Sequence, residues 1–565
     1  MISRRAFCGV PGLGTLAWNG LARAQATRAE ARLPMEWSFV SNKSYADPFS
    51  EVELDAIITD PEGVEHRIPA FWAAEDRFRV RYAPNGPGRY TYKTFCSDSS
   101  NGGLHARTGS FEVVPYEGYN SVYRRGPVRV AADKRHFEHA DGTPFFWLGD
   151  TNWMGLCHRL GWPDEFQWLA ADRAAKGFTV VQIVAGLYPD MPPFDPRGAN
   201  EAGFPWEKDY TRINPAYFDA ADLRIRCLVE SGLVPCIVGC WGYFLPMMGL
   251  AKIKQHWRYL VARWGAYPVI WCLCGEVPMP FYHSKTREVD TAKQIQGWND
   301  VGRYVRSIDS YHRLITVHPS VDWLRLGDPD VIGLTLDPAL LDFLMLEISA
   351  EHAVKWLRQS LVFSPKMPVL IGEMEYEGML DTHTAEEQRR LMWACMLSGA
   401  AGHTYGANGL WQLNQMGRSF GLSAAAKAPD GQTWGDTPWD AAAKFPGSRQ
   451  VGLVKSLLSR YPWWRLEPHP DWVELPGSRG RSTSAYAAAI AREVYFVYIP
   501  AASSSGTSVQ ISHLEAGKRY RGFFFNPIDG NSVAIGELTA GAEGQWTAPM
   551  TPVRHDWVLV LERKV

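Results

Sequence analysis

The middle of the chain, from about residue 130 to residue 465, alternates short apolar runs with longer amphipathic segments. The runs are nearly continuous in Val, Ile, Leu, Phe and Trp, which is typical of strands buried on both faces of a parallel sheet. Eight such runs predict strands at residues 144–150, 178–184, 233–238, 269–276, 314–318, 341–346, 368–373 and 399–405. Amphipathic spacing between the runs predicts helices, among them 164–176, 217–231, 292–307 and 386–397. Eight strand–helix repeats predict an α/β fold, a (β/α)8 TIM barrel over residues 130–465.

The two ends of the chain show a different pattern, in which apolar and polar residues alternate between frequent turns. From 33 to 116, alternating segments such as 89–95 are separated by turn sequences such as Pro84–Gly88. From 477 to 565 the same pattern returns, for example in 556–561. Alternation with regularly spaced turns is typical of antiparallel sheets. We therefore predict a β-sandwich domain on each side of the barrel.

The first 26 residues have the layout of an export signal. Arg4 and Arg5 precede Phe7, and a mildly apolar stretch, 8–21, leads to small residues of the Ala-x-Ala type. Paired arginines in this position are typical of twin-arginine signal peptides. We therefore predict a signal peptide over residues 1–26 and an exported protein, either periplasmic or secreted. No later segment is apolar over the length of a membrane span, so we predict no transmembrane segment.

Charge and aromatic content narrow the classes of function. Lys and Arg number 58 against 60 Asp and Glu, a net charge of −2, which argues against a partner such as nucleic acid or an anionic membrane. The 24 Trp, 23 Tyr and 25 Phe suit stacking on the apolar faces of sugars, and they would suit a large α/β core equally well. The oligomeric state is left open by the sequence.

Eight of the nine cysteines follow the predicted signal peptide. Cys236, Cys240, Cys272 and Cys274 lie within apolar strands, where Cys usually behaves as a small hydrophobic residue. We therefore predict few or no disulfides. No Cys/His spacing resembles a zinc site, so we predict no metal.

Two of the predicted strands end on the same dipeptide, Gly-Glu, at Glu276 and at Glu373. A carboxylate at the carboxyl end of a barrel strand lies at the mouth of the barrel, where such enzymes keep their chemistry. Glycoside hydrolysis typically needs two carboxyl groups, and a retaining enzyme holds them about 5–5.5 Å apart. The alternative is that each Glu pairs with an Arg or caps a helix. Glu375 and Glu377 also remain rivals to Glu373.

Further polar and aromatic side chains end or follow the other predicted strands, where they could bond sugar hydroxyls or stack on sugar faces. The candidate substrate-binding residues are Asp150, Asn152, Trp153, Gln182, Trp241, His318, His403, Tyr405, Asn408 and Trp411. Each also has a structural interpretation, as a cap, a satisfied buried polar group or barrel packing, and both interpretations stay open. The long loop after the second strand, 188–211, is a further candidate for the substrate site.

Four segments carry a resemblance to a known family: 141–153, 269–276, 368–378 and 402–411. They resemble the apiosidase-like glycoside hydrolases, namely glycoside hydrolase family 140 and its relatives. The head of the chain is similar to the Ig-like domain that often precedes that barrel. The tail is similar to the collagen-binding type of β domain that often follows it.

The resemblance implies a retaining mechanism with the acid/base at the end of strand four and the nucleophile at the end of strand seven. These roles fall on Glu276 and Glu373, and neither a metal nor an organic cofactor is implied. Around strand six, relatives tend to carry Gln-x-Gly-His, whereas this chain has Glu347-Ile-Ser-Ala followed by Glu351 and His352. The strand-four carboxylate can also be Asp in relatives. These departures bear on sugar specificity more than on the type of reaction.

Together, the residues and the resemblance predict an exported retaining glycosidase that acts on side chains of plant or microbial polysaccharides. Its partner is then an oligo- or polysaccharide substrate. One alternative is the same barrel with another furanoside or pyranoside specificity. Another is a non-catalytic carbohydrate-binding or adhesion protein, which would be expected to have lost one of the two strand-end carboxylates.

Overall fold

The computed structural model describes residues 28–319, 336–379, 383–423, 434–474, 486–501 and 508–564. The predicted signal peptide, residues 1–26, lies outside the described residues. The chain divides into two compact units. The first comprises the residues up to Glu117 together with Arg258–Tyr267 and Ile308–Tyr311, and the second comprises the remainder.

The first unit contains two sheets in which buried and exposed residues alternate along the strands. Its strands are β1 (Arg28–Glu30), β2 (Met35–Val40), β3 (Leu54–Thr59), β4 (Glu65–Pro69), β5 (Phe71–Ala74), β6 (Arg77–Tyr82), β7 (Gly88–Cys96) and β8 (Thr108–Val114), with one helical turn, α1 (Pro48–Glu51). One sheet has the order β1-β8-β7-β3-β4 and the other β2-β6-β5. All pairs are antiparallel except β1 with β8. The two sheets confirm the predicted N-terminal β domain.

The second unit opens with a helical turn and a three-stranded sheet and then forms the barrel. The opening elements are α2 (Ser121–Arg125), β9 (Val128–Val130), β10 (Phe137–His139) and β11 (Pro144–Phe145). The barrel strands are β12 (Trp147–Thr151), β13 (Val180–Val184), β14 (Val234–Val238), β15 (Ile270–Cys272), β16 (Ile315–Thr316), β17 (Leu344–Glu347), β18 (Val369–Glu373) and β19 (Gly402–Tyr405). Their order is β16-β15-β14-β13-β12-β19-β18-β17, with parallel neighbours throughout. This sheet confirms the predicted (β/α)8 barrel.

Helices connect the barrel strands, as the amphipathic spacing predicts. They are α3 (Asp164–Ala175), α4 (Pro215–Glu230), α5 (Phe244–Met248), α6 (Leu250–Trp264), α7 (Arg287–Ile308), α8 (Ala353–Leu361), α9 (Ala385–Met396), α10 (Trp439–Ala442) and α11 (Pro446–Leu458). The four helices predicted by number agree with α3, α4, α7 and α9 apart from their ends. The largest difference is at α7, which begins five residues before the predicted start at 292.

The fourth strand is shorter than the sequence predicts. Its apolar run reaches Glu276, but β15 pairs with its neighbours only as far as Cys272. Beyond that point Gly275 forms an isolated bridge with Trp241, and Glu276 adopts a φ of 48°. A non-glycine residue in this left-handed region turns the backbone out of the ladder. Glu276 therefore lies on a turn above the strand rather than on its last paired residue.

Side chains help to close the barrel between its fifth and sixth strands, β16 and β17. The Asp342 carboxylate accepts the Ile315 N–H at 2.7 Å, and the Asp342 N–H donates to the Ile315 carbonyl at 2.8 Å. The Thr316 hydroxyl donates to the Phe343 carbonyl at 2.9 Å. These bonds satisfy backbone groups that a regular ladder would otherwise pair.

The C-terminal part of the second unit is a second β domain. Its strands are β20 (Glu467–Pro468), β21 (Val473–Glu474), β22 (Tyr486–Ile490), β23 (Val494–Ile499), β24 (Gln510–Ile511), β25 (Arg519–Phe525), β26 (Ser532–Thr539), β27 (Trp546–Thr547) and β28 (Trp557–Arg563). They form sheets of order β20-β22-β23-β28-β25-β26 and β21-β24-β27. Tyr495, Tyr520, Phe524 and Trp557 belong to its buried core. These sheets confirm the predicted C-terminal β domain.

A buried ion pair joins this β domain to the barrel. Arg389, on α9, donates to both carboxylate oxygens of Asp556 at 2.8 and 2.6 Å, and Asp556 is fully buried. The Tyr498 hydroxyl donates to the same carboxylate at 2.9 Å, and Gln450 accepts from the guanidinium at 3.0 Å. Arg389 and Asp556 are thus each other's main charged partner in a buried cluster. Removal of one of them would leave the charge of the other buried without that partner.

Two further features bear on the sequence predictions. Within the described residues, no helix combines the length and apolarity that crossing a membrane requires. The eight cysteines after residue 27 are all free thiols, and seven of them are buried.

We predict that Asp556→Ala lowers the free energy of unfolding by about 3–5 kcal/mol, because buried Arg389 then keeps only the half-exposed carboxylate of Glu386, 3.9 Å away, as a counter-charge. Guanidinium titration followed by tryptophan fluorescence measures the change.

The matched control is Glu493→Ala, which removes an ion pair between Arg465 and Glu493 whose side chains are 51% and 50% exposed. Exposed pairs contribute about 0–1 kcal/mol, so this variant should unfold close to wild type. Equal losses in the two variants would contradict the role of the buried pair.

Candidate active site

A cavity of about 400 Å³ lies at the carboxyl ends of the barrel strands. Its lining combines carboxylates with aromatic rings. The acidic side chains are Asp190, Glu276, Glu347, Glu373 and Glu375, and the aromatic ones are Trp153, Trp241, Tyr282, Tyr376, Trp411 and Trp434. Both predicted catalytic residues therefore face the same cavity.

Glu276 is held in a partly desolvated position at the cavity wall. Its carboxylate accepts the indole N–H of Trp241 at 2.6 Å. Burial raises its pKa to about 7, with the charge of Glu373 adding to the rise, while the Trp241 hydrogen bond and His318 act in the opposite direction. A carboxyl group with such a pKa is partly protonated at neutral pH and can donate a proton.

The glycines that precede the two glutamates leave room for neighbouring side chains. A Cβ on Gly275 would overlap the ring of Trp241, and a Cβ on Gly372 would overlap the side chain of Met345. Each Gly therefore lets a neighbouring side chain pack directly against the backbone below the carboxylate. The repeated Gly-Glu of the sequence reflects close packing at the ends of two strands.

Glu373 is the last residue of β18 and is held by two polar neighbours. His318 Nε2 lies 3.0 Å from Glu373 Oε2, and the Tyr376 hydroxyl donates to Glu373 Oε1. Burial and the charge of Glu373 keep the pKa of Tyr376 well above its usual range, so the phenol stays a donor. Trp153 in turn donates its indole N–H to the Tyr376 oxygen at 3.0 Å. These contacts orient the carboxylate.

The two rivals of Glu373 have other partners. The Glu375 carboxylate lines the cavity but accepts the Ala350 N–H at 2.9 Å. Glu377 is buried away from the cavity lining, where it accepts from the Tyr405 hydroxyl at 2.5 Å and from the Gly447 N–H at 3.2 Å. The contacts with His318 and Tyr376 single out Glu373 from this group.

Of the predicted substrate-binding residues, Trp153, Trp241 and Trp411 line the cavity. The rings of Trp153 and Trp241 meet edge to face with centroids 5.6 Å apart. His318 lies behind them, fully buried, 5.5 Å from Trp153 and 6.1 Å from Trp241 between ring centroids. The indole of Trp241 and the imidazole of His318 thus each touch one of the two carboxylates.

Three polar candidates on the first two strands lie below the cavity lining. Asp150 is buried in an ion pair with Arg173 at 2.8 Å. Gln182 donates its side-chain N–H to the Gly372 carbonyl at 2.7 Å. Asn152, two residues after Asp150, is also buried. Each of the three is enclosed by the protein, and each keeps one side-chain oxygen without a hydrogen-bond partner among the described residues, so their role in binding stays a prediction.

Three candidates on or after the last strand also lie outside the cavity lining. His403 is fully buried, and burial lowers its pKa to about 3, so it is neutral. Tyr405 donates to Glu377, as described above. Asn408 donates to the Trp434 carbonyl and accepts from Gln412 at 2.6 Å. Asn408 therefore shapes the loop that carries a cavity-lining Trp.

Several lining residues were not among the sequence candidates. Glu347 is the last residue of β17, and Tyr376 follows β18. Tyr282 and Trp434 lie in loops without a periodic pattern. Asp190 lies in the long loop that the sequence does flag, and it accepts from the Trp434 indole N–H at 2.7 Å. Two of these residues carried a signal in the sequence, Asp190 through that loop and Glu347 through the departure around strand six. The others acquire their neighbours through the fold and not through spacing.

One group of side chains in the described residues has the spacing of a potential cation site. Ligand atoms of His318, Glu347 and Glu373 lie within 4.8 Å of one another. In this group the two nitrogens of a single imidazole face different carboxylates, Glu347 at 3.4 Å and Glu373 at 3.0 Å.

Comparison with protein families agrees with this geometry. The family model described as "Apiosidase-like, catalytic domain" matches residues 131–465. A "Domain of unknown function (DUF5060)" matches residues 33–97, and the "Putative collagen-binding domain of a collagenase" matches residues 470–562. Among curated proteins, none matches the chain significantly.

Solved structures share the fold at low sequence identity. A protein titled "Glycoside hydrolase" is 21% identical with a TM-score of 0.61, over 79% of this chain and 98% of its own. A glycoside hydrolase family 5 protein from Bacteroides vulgatus ATCC 8482 is 21% identical with a TM-score of 0.61, over 78% of this chain and 94% of its own. These likenesses show the fold.

We predict that Gly275→Ala lowers the free energy of unfolding by about 1–3 kcal/mol, because the added methyl group forces the Trp241 ring out of its packed position. Denaturant titration gives the stability, and near-ultraviolet circular dichroism reports the displaced indole.

Gly86→Ala is the control, since its Cβ meets nothing within 4 Å and its φ is not positive. It should match wild type in both measurements. A Gly275→Ala variant with wild-type stability and an unchanged aromatic spectrum would refute the steric role.

Proposed function

The chain belongs to the apiosidase-like glycoside hydrolases, and from that membership we propose that it is an exported, retaining enzyme that removes side-chain sugars from plant or microbial polysaccharides. The general activity, hydrolysis of a glycosidic bond, follows from the family. The mechanism, the substrate and the export are our proposal. The resemblance to glycoside hydrolase family 140 in particular stays a prediction.

One observation carries the mechanism: Glu276 and Glu373 line one cavity in different surroundings. Burial holds the pKa of Glu276 at about 7, whereas Glu373 contacts a histidine and a tyrosine hydroxyl. A retaining glycosidase needs this difference, since one carboxyl group must be protonated while the other is ionised.

The roles follow from the surroundings. Glu276 protonates the leaving oxygen while Glu373 attacks the anomeric carbon, and a covalent glycosyl-enzyme forms as the leaving alcohol departs. Glu276, now ionised, removes a proton from water, which attacks the same carbon and releases Glu373 as a carboxylate. The mechanism requires the carboxyl groups to be about 5–5.5 Å apart. It uses these two side chains and one water, and no cofactor takes part in these steps.

The cavity supports a carbohydrate ligand. Indoles of Trp153, Trp241 and Trp411 offer apolar faces, and the carboxylates between them can accept hydrogen bonds from sugar hydroxyls. Apiose is the precedent that the family offers, and a panel of furanosides and pyranosides tests it against other sugars. The presence of both carboxylates in the cavity favours an enzyme over a non-catalytic binding protein.

Export is proposed on the N-terminal sequence alone. Arg4, Arg5 and Phe7 precede the apolar stretch and the small residues of a cleavage site. A polysaccharide is too large to enter a cell intact, so a periplasmic or secreted location agrees with the proposed substrate.

We predict that kcat/KM falls as the pH rises through about 7, because the pKa of Glu276 is about 7 and only its protonated form can donate to the leaving group. The Trp241 hydrogen bond stabilises the carboxylate and lowers this pKa. Trp241→Phe removes the bond, so the alkaline limb of the pH profile should move to higher pH.

Trp411→Phe is the control for this profile. Trp411 lines the same cavity, and its indole nitrogen has no hydrogen-bond partner among the described residues. Its variant should leave the alkaline limb in place, whatever its effect on KM. An unchanged or lowered limb in Trp241→Phe would contradict the assignment of the limb to Glu276.

We predict that azide separates the roles of the two glutamates. With an aryl glycoside whose leaving group needs no protonation, Glu276→Ala should still form the glycosyl-enzyme, and added azide should give a glycosyl azide of retained configuration. Glu373→Ala should give the inverted azide, because azide then replaces the nucleophile. Proton NMR of the product distinguishes the two anomers.

Exchanged configurations would reverse the roles. Full activity of Glu373→Ala without azide would show that another residue is the nucleophile. Glu375→Ala and Glu377→Ala would then be compared in the same assay.

A further inference from the structure

Glu347 stands out among the cavity residues because a register shift directs it towards the nucleophile. Along the paired strands β17 and β18, Leu346 lies opposite Ile371. Without an irregularity, Glu347 would then lie opposite Gly372. The register shifts between Leu346 and Glu347, so that Glu347 lies opposite Glu373 instead.

The shift, which leaves Gly372 of β18 as the extra residue, brings the side chains of Glu347 and Glu373 to one face of the sheet. Successive residues of a strand point to opposite faces, and residues that lie opposite one another share a face. Regular register would place Glu347 on the face of Gly372, away from Glu373. A bulge at the end of a strand can redirect a side chain, and bulges recur beside active sites. Here it brings two carboxylates to the same side.

His318 lies between these two carboxylates. Its Nδ1 is 3.4 Å from Glu347 Oε2 and its Nε2 is 3.0 Å from Glu373 Oε2. The imidazole is fully buried, and the rings of Trp153 and Trp241 flank it. The ring therefore has little freedom to turn away from either carboxylate.

The geometry of imidazole gives this arrangement a consequence. The two ring nitrogens point in opposite directions, so a single ring can face two carboxylates at once. A change in the contact with Glu347 therefore alters the position of the nitrogen that faces Glu373, and His318 also lowers the pKa of Glu276.

We propose that Glu347 is a positioning residue that acts through His318 on Glu373: its carboxylate fixes the imidazole, and the imidazole in turn orients the nucleophile. This inference rests on the proposed function, because it assigns a task within that reaction. Glu347 also lines the cavity, so the competing explanation is that its carboxylate contacts the sugar directly.

A double-mutant cycle separates the two explanations. If Glu347 acts through His318, Glu347→Gln lowers kcat about 10–100-fold, the order of loss that misplacement of a reacting group causes, while KM stays within about twofold. In a His318→Gln background, which has no ring nitrogen facing Glu347, the same substitution should add almost nothing. Direct sugar contact predicts a raised KM and losses that add in the double variant, and that result would overturn the proposal.

Glu351→Gln is the matched control. It removes a carboxylate from the same segment after β17, but Glu351 is exposed and does not line the cavity. Its kinetic constants should equal those of wild type. An equal loss of kcat in this variant would mean that net charge near the site, and not the contact with His318, explains the effect.

A second measurement needs no turnover. In protein labelled with ¹⁵N-histidine, the signals that disappear in His318→Gln identify the ring. We expect the ring signals of His318 to move in Glu347→Gln and to stay in place in Glu351→Gln. Unchanged ring signals in Glu347→Gln would overturn the proposal even if the enzyme is active. Moved signals in a protein that cleaves no glycoside would instead refute the proposed function and leave the contact intact.

Discussion

Two carboxyl groups share one cavity in different surroundings, and the rest of the site depends on what each of them contacts. Glu276 lies in a desolvated position where burial raises its pKa to about 7, and it accepts the indole N–H of Trp241. Glu373 has an imidazole and a phenol beside it. The two surroundings differ in the side chains that each carboxylate contacts, and those side chains belong to neighbouring strands and loops.

Aromatic side chains supply both the walls of the cavity and its hydrogen-bond donors. Trp241 donates to Glu276, and Trp153 donates to Tyr376, which in turn donates to Glu373. Large rings can come this close to the backbone only where a neighbouring residue has no Cβ. Gly275 provides that space below Trp241, and Gly406 provides it below Tyr376, since a Cβ at either position would overlap the ring. The glycines of the sequence motifs are thus part of how the carboxylates are oriented.

Much of the fold could be predicted from the sequence because burial on both faces leaves a nearly continuous apolar run. The eight runs correspond to the eight strands β12–β19, and the alternating ends correspond to the flanking β domains. The end of β15 was predicted too late, because apolar character continues to Val277, whereas the continuous ladder ends at Cys272 and only isolated bridges at Gly275 and Val277 follow. Hydrophobicity records burial, and the residues of this turn are buried without belonging to the ladder.

By itself, the sequence determined the barrel, its β domains and the two glutamates, since these depend on patterns local to each strand. Only the tertiary structure decided which polar residues reach the cavity. Asp150, Gln182 and His403 share the sequence features of site residues, yet all three are buried below the cavity lining. Conversely, Glu347 lies opposite Glu373 because of a one-residue register shift between β17 and β18. The physical reason is that the face and depth of a side chain depend on register and on neighbours from distant strands, and no local pattern records either.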